Sequence, residues 1–177
     1  MKNPLIRNII EQINELQLKL GYAHESVTLF YPYGSLRYLL DTDKRGNELI
    51  DMVNECISSS VLSQIEVTPA KGKALLTLPS DTVTYIHENF KPSDFLKDFI
   101  ELFSKHHGIT TENICALFEK YSSNYSFITM PDGSDFDYVF YFTDHEIDSF
   151  YYCIKNELGH MIYHRFIESD YIHLLHS

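Results

Sequence analysis

Residues 156–166 read NELGHMIYHRF. Glu157, His160 and His164 are the side chains whose types and spacing come nearest to metal chemistry. Two histidines four positions apart on a helix lie about 6 Å apart, close enough to share one zinc ion. A glutamate next to the first histidine can then serve as general base, the arrangement written H-E-x-x-H. Here the first position of that frame is Asn156, and an amide is a poor zinc ligand. Taking His160 and His164 as the pair restores the spacing but puts Met161 where the base belongs. On a strand the same separation spans roughly 13 Å, too far for one ion. The chemistry therefore turns on whether this stretch is helix or strand.

NELGHMIYH resembles, over nine residues, the HELGHxxLH segment of a bacterial family of zinc peptidases. The resemblance implies a metal-dependent hydrolase using Glu157, His160 and His164, and it departs from that family at the missing upstream histidine. The flanks favour strands. SFYYCIK and HMIYHRF are aromatic and poor in strong helix formers, and Glu157-Leu158-Gly159 suits a three-residue hairpin loop with Gly159 in the left-handed conformation. That register puts Phe150, Tyr152, Ile154, Ile162, His164 and Phe166 on one face, with Tyr152 opposite His164. His164 is then a core-face histidine satisfied by a hydrogen bond, and neither a metal nor another cofactor is expected. Tyr163 and Arg165 point the other way. An exposed Tyr-Arg pair suits an interface, so these two are the expected binding residues. The competing reading has Arg165 pairing with a neighbouring carboxylate.

Other candidates are weaker. PDGSDFDY, with Asp135 and Asp137, and YGSLRYLLDTD, with Gly34, Ser35, Asp41 and Asp43, are loosely similar to the Gly-Ser and paired-carboxylate pattern of nucleotidyltransferases. In that pattern the carboxylates hold magnesium, but they lie farther from the Gly-Ser and sit on a strand. A hairpin turn explains the first and a helix cap the second. His106 and His107 fall where a helix should end and complement its dipole. His173 and His176 could share a helix face near the C-terminus. Cys56, Cys115 and Cys153 are scattered, without a CxxC pair, which fits a reducing compartment and buried thiols. No GxSxG, P-loop or GxGxxG occurs. No motif thus defines an enzyme, although an active site built from scattered residues stays open.

The elements that must position these residues follow from periodicity. At 177 residues and 44% hydrophobic content a single domain over residues 1–177 is expected. Asn3 caps a first helix with Pro4 in its first turn, Ile6, Ile9, Ile10, Ile13, Leu16 and Leu20 on its apolar face, and Gly21 as its stop. A short helix from Ser35 to Leu40 and one from Asn47 to Ser58 follow. IEVTPAKGKALLTLP reads as a hairpin, and DTVTYIHENF leans to helix. Ser93 caps a helix bearing Leu96, Phe99, Ile100 and Phe103 that stops at Gly108. Thr110 or Thr111 caps another through Tyr121. From Tyr125 the period becomes two. YSFITM, FDYVFYF, FYYCIK and HMIYHRF form an antiparallel meander of about four strands, covered on both faces, before a turn of helix near SDYIHLL. The class is α+β, with a mostly helical N-terminal half carrying a β-hairpin.

The net charge of −11 works against binding nucleic acid or an anionic membrane surface. No apolar run approaches membrane-spanning length, and the N-terminus lacks a signal peptide's apolar stretch. A cytoplasmic protein is expected. Taken together, YSFITM, FDYVFYF, YYC and YHRF resemble segments of an uncharacterised bacterial family classed as a domain of unknown function. That resemblance implies a stand-alone bacterial protein and brings no activity, cofactor or site with it. The reading that remains is a non-catalytic binding or interaction protein whose acidic surface meets a protein partner, its oligomeric state open. A metal-dependent hydrolase and a small-molecule sensor with an aromatic-lined pocket are the alternatives.

Overall fold

The structure is a computed structural model that describes residues 3–105 and 107–176. The chain divides into two compact units, Met1–Pro92 and Ser93–Ser177.

In the first unit, helix α1 (Pro4–Leu20) begins where Asn3 Oδ1 accepts hydrogen bonds from the Leu5 and Ile6 amides, and it ends at Gly21, whose φ of 82° suits glycine. Its buried face carries Leu5, Ile6, Ile9, Ile10 and Ile13. Strand β1 (Val27–Pro32) leads into α2 (Tyr33–Leu39) and α3 (Gly46–Ser58). Strands β2 (Glu66–Ala70) and β3 (Lys73–Leu78) form the expected hairpin, followed by α4 (Ser80–Asn89). The hairpin is not isolated. Strand β1 pairs antiparallel with β3, giving a three-stranded sheet of order β1-β3-β2. Polar groups tie α1 to that sheet: Tyr31, itself buried, donates to Asn8 Oδ1 at 2.7 Å, which satisfies a buried amide, and accepts from Gln12 Nε2 at 3.3 Å. Burial pushes the Tyr31 hydroxyl well above its ordinary pKa.

The second unit starts with α5 (Asp94–Ser104), capped by Ser93, and α6 (Thr111–Tyr121), whose Thr110 and Asn113 form a reciprocal capping box. Strands β4 (Tyr125–Thr129), β5 (Tyr138–Phe142), β6 (Tyr151–Glu157) and β7 (His160–Phe166) then make an antiparallel meander of order β4-β5-β6-β7. Helix α7 (Glu168–His176) closes the chain. The sheet is covered on both faces. On one, Phe95, Phe99 and Phe103 of α5 and Ile114 and Phe118 of α6 pack on Phe140, Phe142, Tyr152 and Ile154. On the other, Tyr171 and Leu174 of α7 pack with Val139, Tyr151 and Cys153.

The two helices of that layer are also clamped by charge. Lys120 and the Tyr121 hydroxyl, both on α6, donate to Asp98 Oδ2 of α5. The hydrogen bond from Lys120, and next that from Tyr121, hold the Asp98 carboxyl below the usual carboxylate pKa. A lowered folded-state pKa stabilises the fold above the unfolded carboxyl's value and is lost as pH falls through the folded one. Asp98→Asn should therefore lower stability at neutral pH by less than about 1 kcal/mol, because the pair is largely solvated. The deficit should vanish once the pH falls below the folded carboxyl's lowered value, where Asp98 is protonated in both states. Urea melts of both proteins across that range are the check.

Candidate functional site

Residues 151–166 form a β-hairpin of β6 and β7. Glu157 pairs with His160, so the loop is only Leu158-Gly159, with φ of 54° and 89°. Two central residues at positive φ define a type I′ turn, whose twist matches the strands it joins. The Asn156 side chain supports it, accepting from the Gly159 amide at 2.9 Å. The expected loop of three residues was one too long. A slip of one residue turns every side chain to the opposite face. Tyr152 therefore lies opposite Arg165, and Cys153 opposite His164.

That slip corrects the expected positions. His164 is exposed, beside the Phe136 and Phe166 rings at 5.6 and 6.3 Å, and is not a core-face residue. His160 begins β7 with its ring 4.7 Å from that of His107. On one strand, His160 and His164 stand roughly 13 Å apart, so the helical pair that a peptidase-like zinc site needs does not form. Glu157 is exposed, 4.0 Å from the Lys155 ammonium. Among the described residues, no three His, Cys, Asp or Glu side chains gather where one ion could be held.

Leu158 offers a direct test of the turn. A non-glycine residue other than Asn or Asp rarely adopts positive φ, at a penalty of about 1–2 kcal/mol. Leu158 is fully exposed at 102%, so its side chain makes no compensating packing. Leu158→Asn should raise stability by about 1 kcal/mol, measured as a shift in urea midpoint at constant m.

Tyr163 and Arg165 do share a face, but it is the inner one, not the exposed face expected of anchors. Tyr163 packs edge-on to Phe99 and Phe103 of α5 at 4.8 and 5.0 Å. The Arg165 side chain is 3% exposed and its guanidinium sits 4.1 Å above the Phe150 ring. Its counter-charge is Asp148, 8% exposed, at 3.9 Å. Asp148 also accepts from the Phe150 amide and the Tyr152 hydroxyl, each at 2.7 Å. Burial above all, and Asp148 next, hold the Tyr152 hydroxyl protonated. This Asp148–Tyr152–Arg165 group joins the β5–β6 loop, β6 and β7 in the core. Arg165 pairing with a carboxylate was the competing sequence reading.

The remaining motifs fall in ordinary places. Gly133 and Ser134 form a turn, and Asp137 accepts from the Asn156 amide at 2.7 Å, tying the β4–β5 loop to β6. Gly34 and Ser35 lie in α2, with Asp41 and Asp43 in the loop after it and not on a strand. His106 lies outside the described residues. His173 and His176 are exposed on α7. All three cysteines are free. Burial pushes the Cys153 thiol up to about 12, which leaves it inert as a nucleophile near neutral pH.

Sequence reasoning missed a cleft of about 130 Å³ in the first unit, lined by α1 residues Asn14, Gln17 and Leu18, by Tyr22, and by His87, Phe90, Lys91 and Pro92. Tyr22 stacks on His87 with ring centroids 4.0 Å apart. The His87 Nδ1 lies 3.1 Å from Gln17 Oε1, while Gln17 Nε2 is buried with no partner among the described residues. The spacing of Gln17 on α1 carried no hint of this, because its neighbours come from the far end of α4.

Fold and site together define an α+β protein with aromatic cores, and a three- and a four-stranded antiparallel sheet. The chain belongs to the family described as "Domain of unknown function, E. rectale Gene description (DUF3877)", whose model matches residues 2–175. This is the kind of bacterial family that the aromatic strand segments resemble. No curated protein and no solved structure matches the chain. Among the described residues, no helix is long and apolar enough to cross a membrane.

Proposed function

We propose that this is a non-catalytic interaction protein of the bacterial cytoplasm that docks a basic protein partner through its second unit. The observation that carries the reading is the partition of charge. Residues 1–92 hold nine Lys and Arg against eleven Asp and Glu, net −2. Residues 93–177 hold five against fourteen, net −9. Within the second unit, Arg165 and Asp148 are buried on each other, so the excess is carried on the surface. Such a field speeds encounter with a basic partner and repels nucleic acid. Three free cysteines, one of them buried, accord with a reducing compartment.

The test is capture from bacterial extract by the full chain and by a variant with Asp132, Asp135, Asp144 and Glu146 changed to the corresponding amides. These four side chains are exposed, so the variant should fold. A small set of basic proteins held by the wild type near 50 mM salt, and lost with the variant or near 500 mM, is the expected result. Identical captures by both chains would sink the reading.

The buried Gln17 Nε2, without a partner among the described residues, favours a second reading, a small-molecule sensor site in the first-unit cleft. A ring can lie against Phe90 while a carboxylate accepts from Gln17 Nε2 beside Lys91. Thermal shift with benzoate should stabilise the wild type and leave Gln17→Leu unmoved. Equal response in both chains would exclude the cleft.

A further inference from the structure

We propose that β4 is the docking strand, and that the basic protein partner adds an extended segment to it as a fifth strand of the sheet. The inference rests on that reading and assigns it a place and a backbone geometry.

In an antiparallel ladder, successive residues turn their amides alternately towards and away from the neighbouring strand. The Thr143 amide donates to Asn124 O at 2.9 Å, and the Met130 amide to Asp137 O at 2.8 Å. With the β4–β5 register, Ser126 and Ile128 face β5 in the same sense, whereas Tyr125, Phe127 and Thr129 turn N–H and C=O outward. Among the described residues, the outward N–H and C=O groups of these three residues have no hydrogen-bond partner. Strand β4 contains no proline and no charged residue, and its Phe127 and Ile128 are 41% and 39% exposed.

The other sheet edges carry the devices that keep edges from pairing. The Tyr33 amide donates to Gly72 O, which fixes the alternation along β1 and turns Pro32 outward, where it has no N–H to offer. The same alternation, carried through β3, turns Pro69 outward on β2. Strand β7 has an inward-pointing charge, Arg165. Only β4, among these four edges, has no such guard.

Charge selects the occupant. At the start of β4, the Tyr125 hydroxyl donates to Glu119 and the Asn124 amide to Asp144, each at 2.9 Å. Just past its end lie exposed Asp132 and Asp135. An uncharged strand is thus bracketed by carboxylates at both ends. A second copy pairing antiparallel about Phe127 would bring the Glu119 and Asp144 end of one chain against the Asp132 and Asp135 end of the other, and like charges oppose that. A segment with a β-prone centre and Lys or Arg at each end matches both the backbone and the charge, the mode in which main-chain bonds supply affinity and flanking side chains supply selectivity.

The experiment titrates the full chain with the peptide acetyl-Lys-Arg-Val-Thr-Val-Thr-Val-Lys-Arg-amide. Alongside it run the same peptide N-methylated at alternate amides along one edge, and a version with Glu in place of Lys and Arg. The expected result is saturable binding of the first, loss with the Glu version, and roughly 10- to 100-fold weaker binding of the N-methylated form. Hydrogen exchange at Tyr125, Phe127 and Thr129 should slow on binding, and Thr129→Pro, which removes one outward N–H, should weaken it. Equal binding of the parent and N-methylated peptides would overturn strand addition while leaving a charge-docked partner in place. Absence of binding by any basic peptide would overturn it too, with the capture experiment judging the partner reading separately. A concentration-dependent dimer that protects the same three amides without peptide would make the occupant a second copy and refute the basic partner at this edge.

Discussion

Arg165→Met should destabilise the second unit by about 3–5 kcal/mol, although methionine fills much the same space. The reason is what is left behind. Asp148 is 8% exposed and keeps its hydrogen bonds from the Phe150 amide and the Tyr152 hydroxyl, but its counter-charge is gone. A buried carboxylate without a cation either stays ionised at high energy or takes up a proton, and protonation disturbs the two donors it accepts from. Arginine is also held over the Phe150 ring at 4.1 Å, so a desolvated cation–π contact disappears as well.

Pairing the changes separates these contributions. Asp148→Asn alone leaves Arg165 buried and uncompensated, and should cost a comparable amount. The double variant Arg165→Met with Asp148→Asn removes both charges and should recover most of the loss, because a buried ion pair exchanged for neutral groups is often near neutral in net effect. Denaturant melts of the four proteins give the coupling energy directly. Additive losses in the double variant would show that the residues act separately, and that packing over Phe150, not the ion pair, holds this corner together.

The same residue shows how far the chain could be read in advance. The α+β class, the capped helices and the four-strand meander were legible because their signals are local: Asn3 before Pro4, Ser93 before an amphipathic run, a change of period at Tyr125. The hairpin at 151–166 was legible too, but not its loop length. Leu158 is a poor residue for positive φ, so nothing in Glu157-Leu158-Gly159 marks a two-residue turn. That single residue decided whether Arg165 faced solvent or core. Its partner Asp148 lies across the β5–β6 loop, and proximity of that kind comes from the register. Strand β1 was illegible as part of a sheet for a related reason, since its partner β3 comes more than forty residues later. The open edge of β4 required the ladder's alternation, and the Gln17 cleft required the α1 and α4 faces to be brought together.

Phe118→Ala should cost about 3–5 kcal/mol, the other large effect expected. Phe118 is fully buried at the centre of the aromatic layer, with ring centroids 5.0 Å from Phe95, 4.7 Å from Phe142, 5.5 Å from Phe140, 5.8 Å from Tyr152 and 5.7 Å from Tyr125. Its neighbours come from α5, β4, β5 and β6, so no single element can shift to fill the void. Rigid rings collapse into a cavity poorly, which puts the loss toward the upper part of the range for a large-to-small change. Phe127→Ala is the informative contrast. Phe127 also stacks on Phe140, at 4.6 Å, yet it is 41% exposed at the sheet edge, so its truncation should cost no more than about 1 kcal/mol. If the two losses in urea melts were equal, the edge ring would be as structural as the central one, and the case for β4 as a surface kept open for another chain would weaken. A wide gap between them would leave Phe127 with little to do for the fold, as the proposed strand addition at β4 requires.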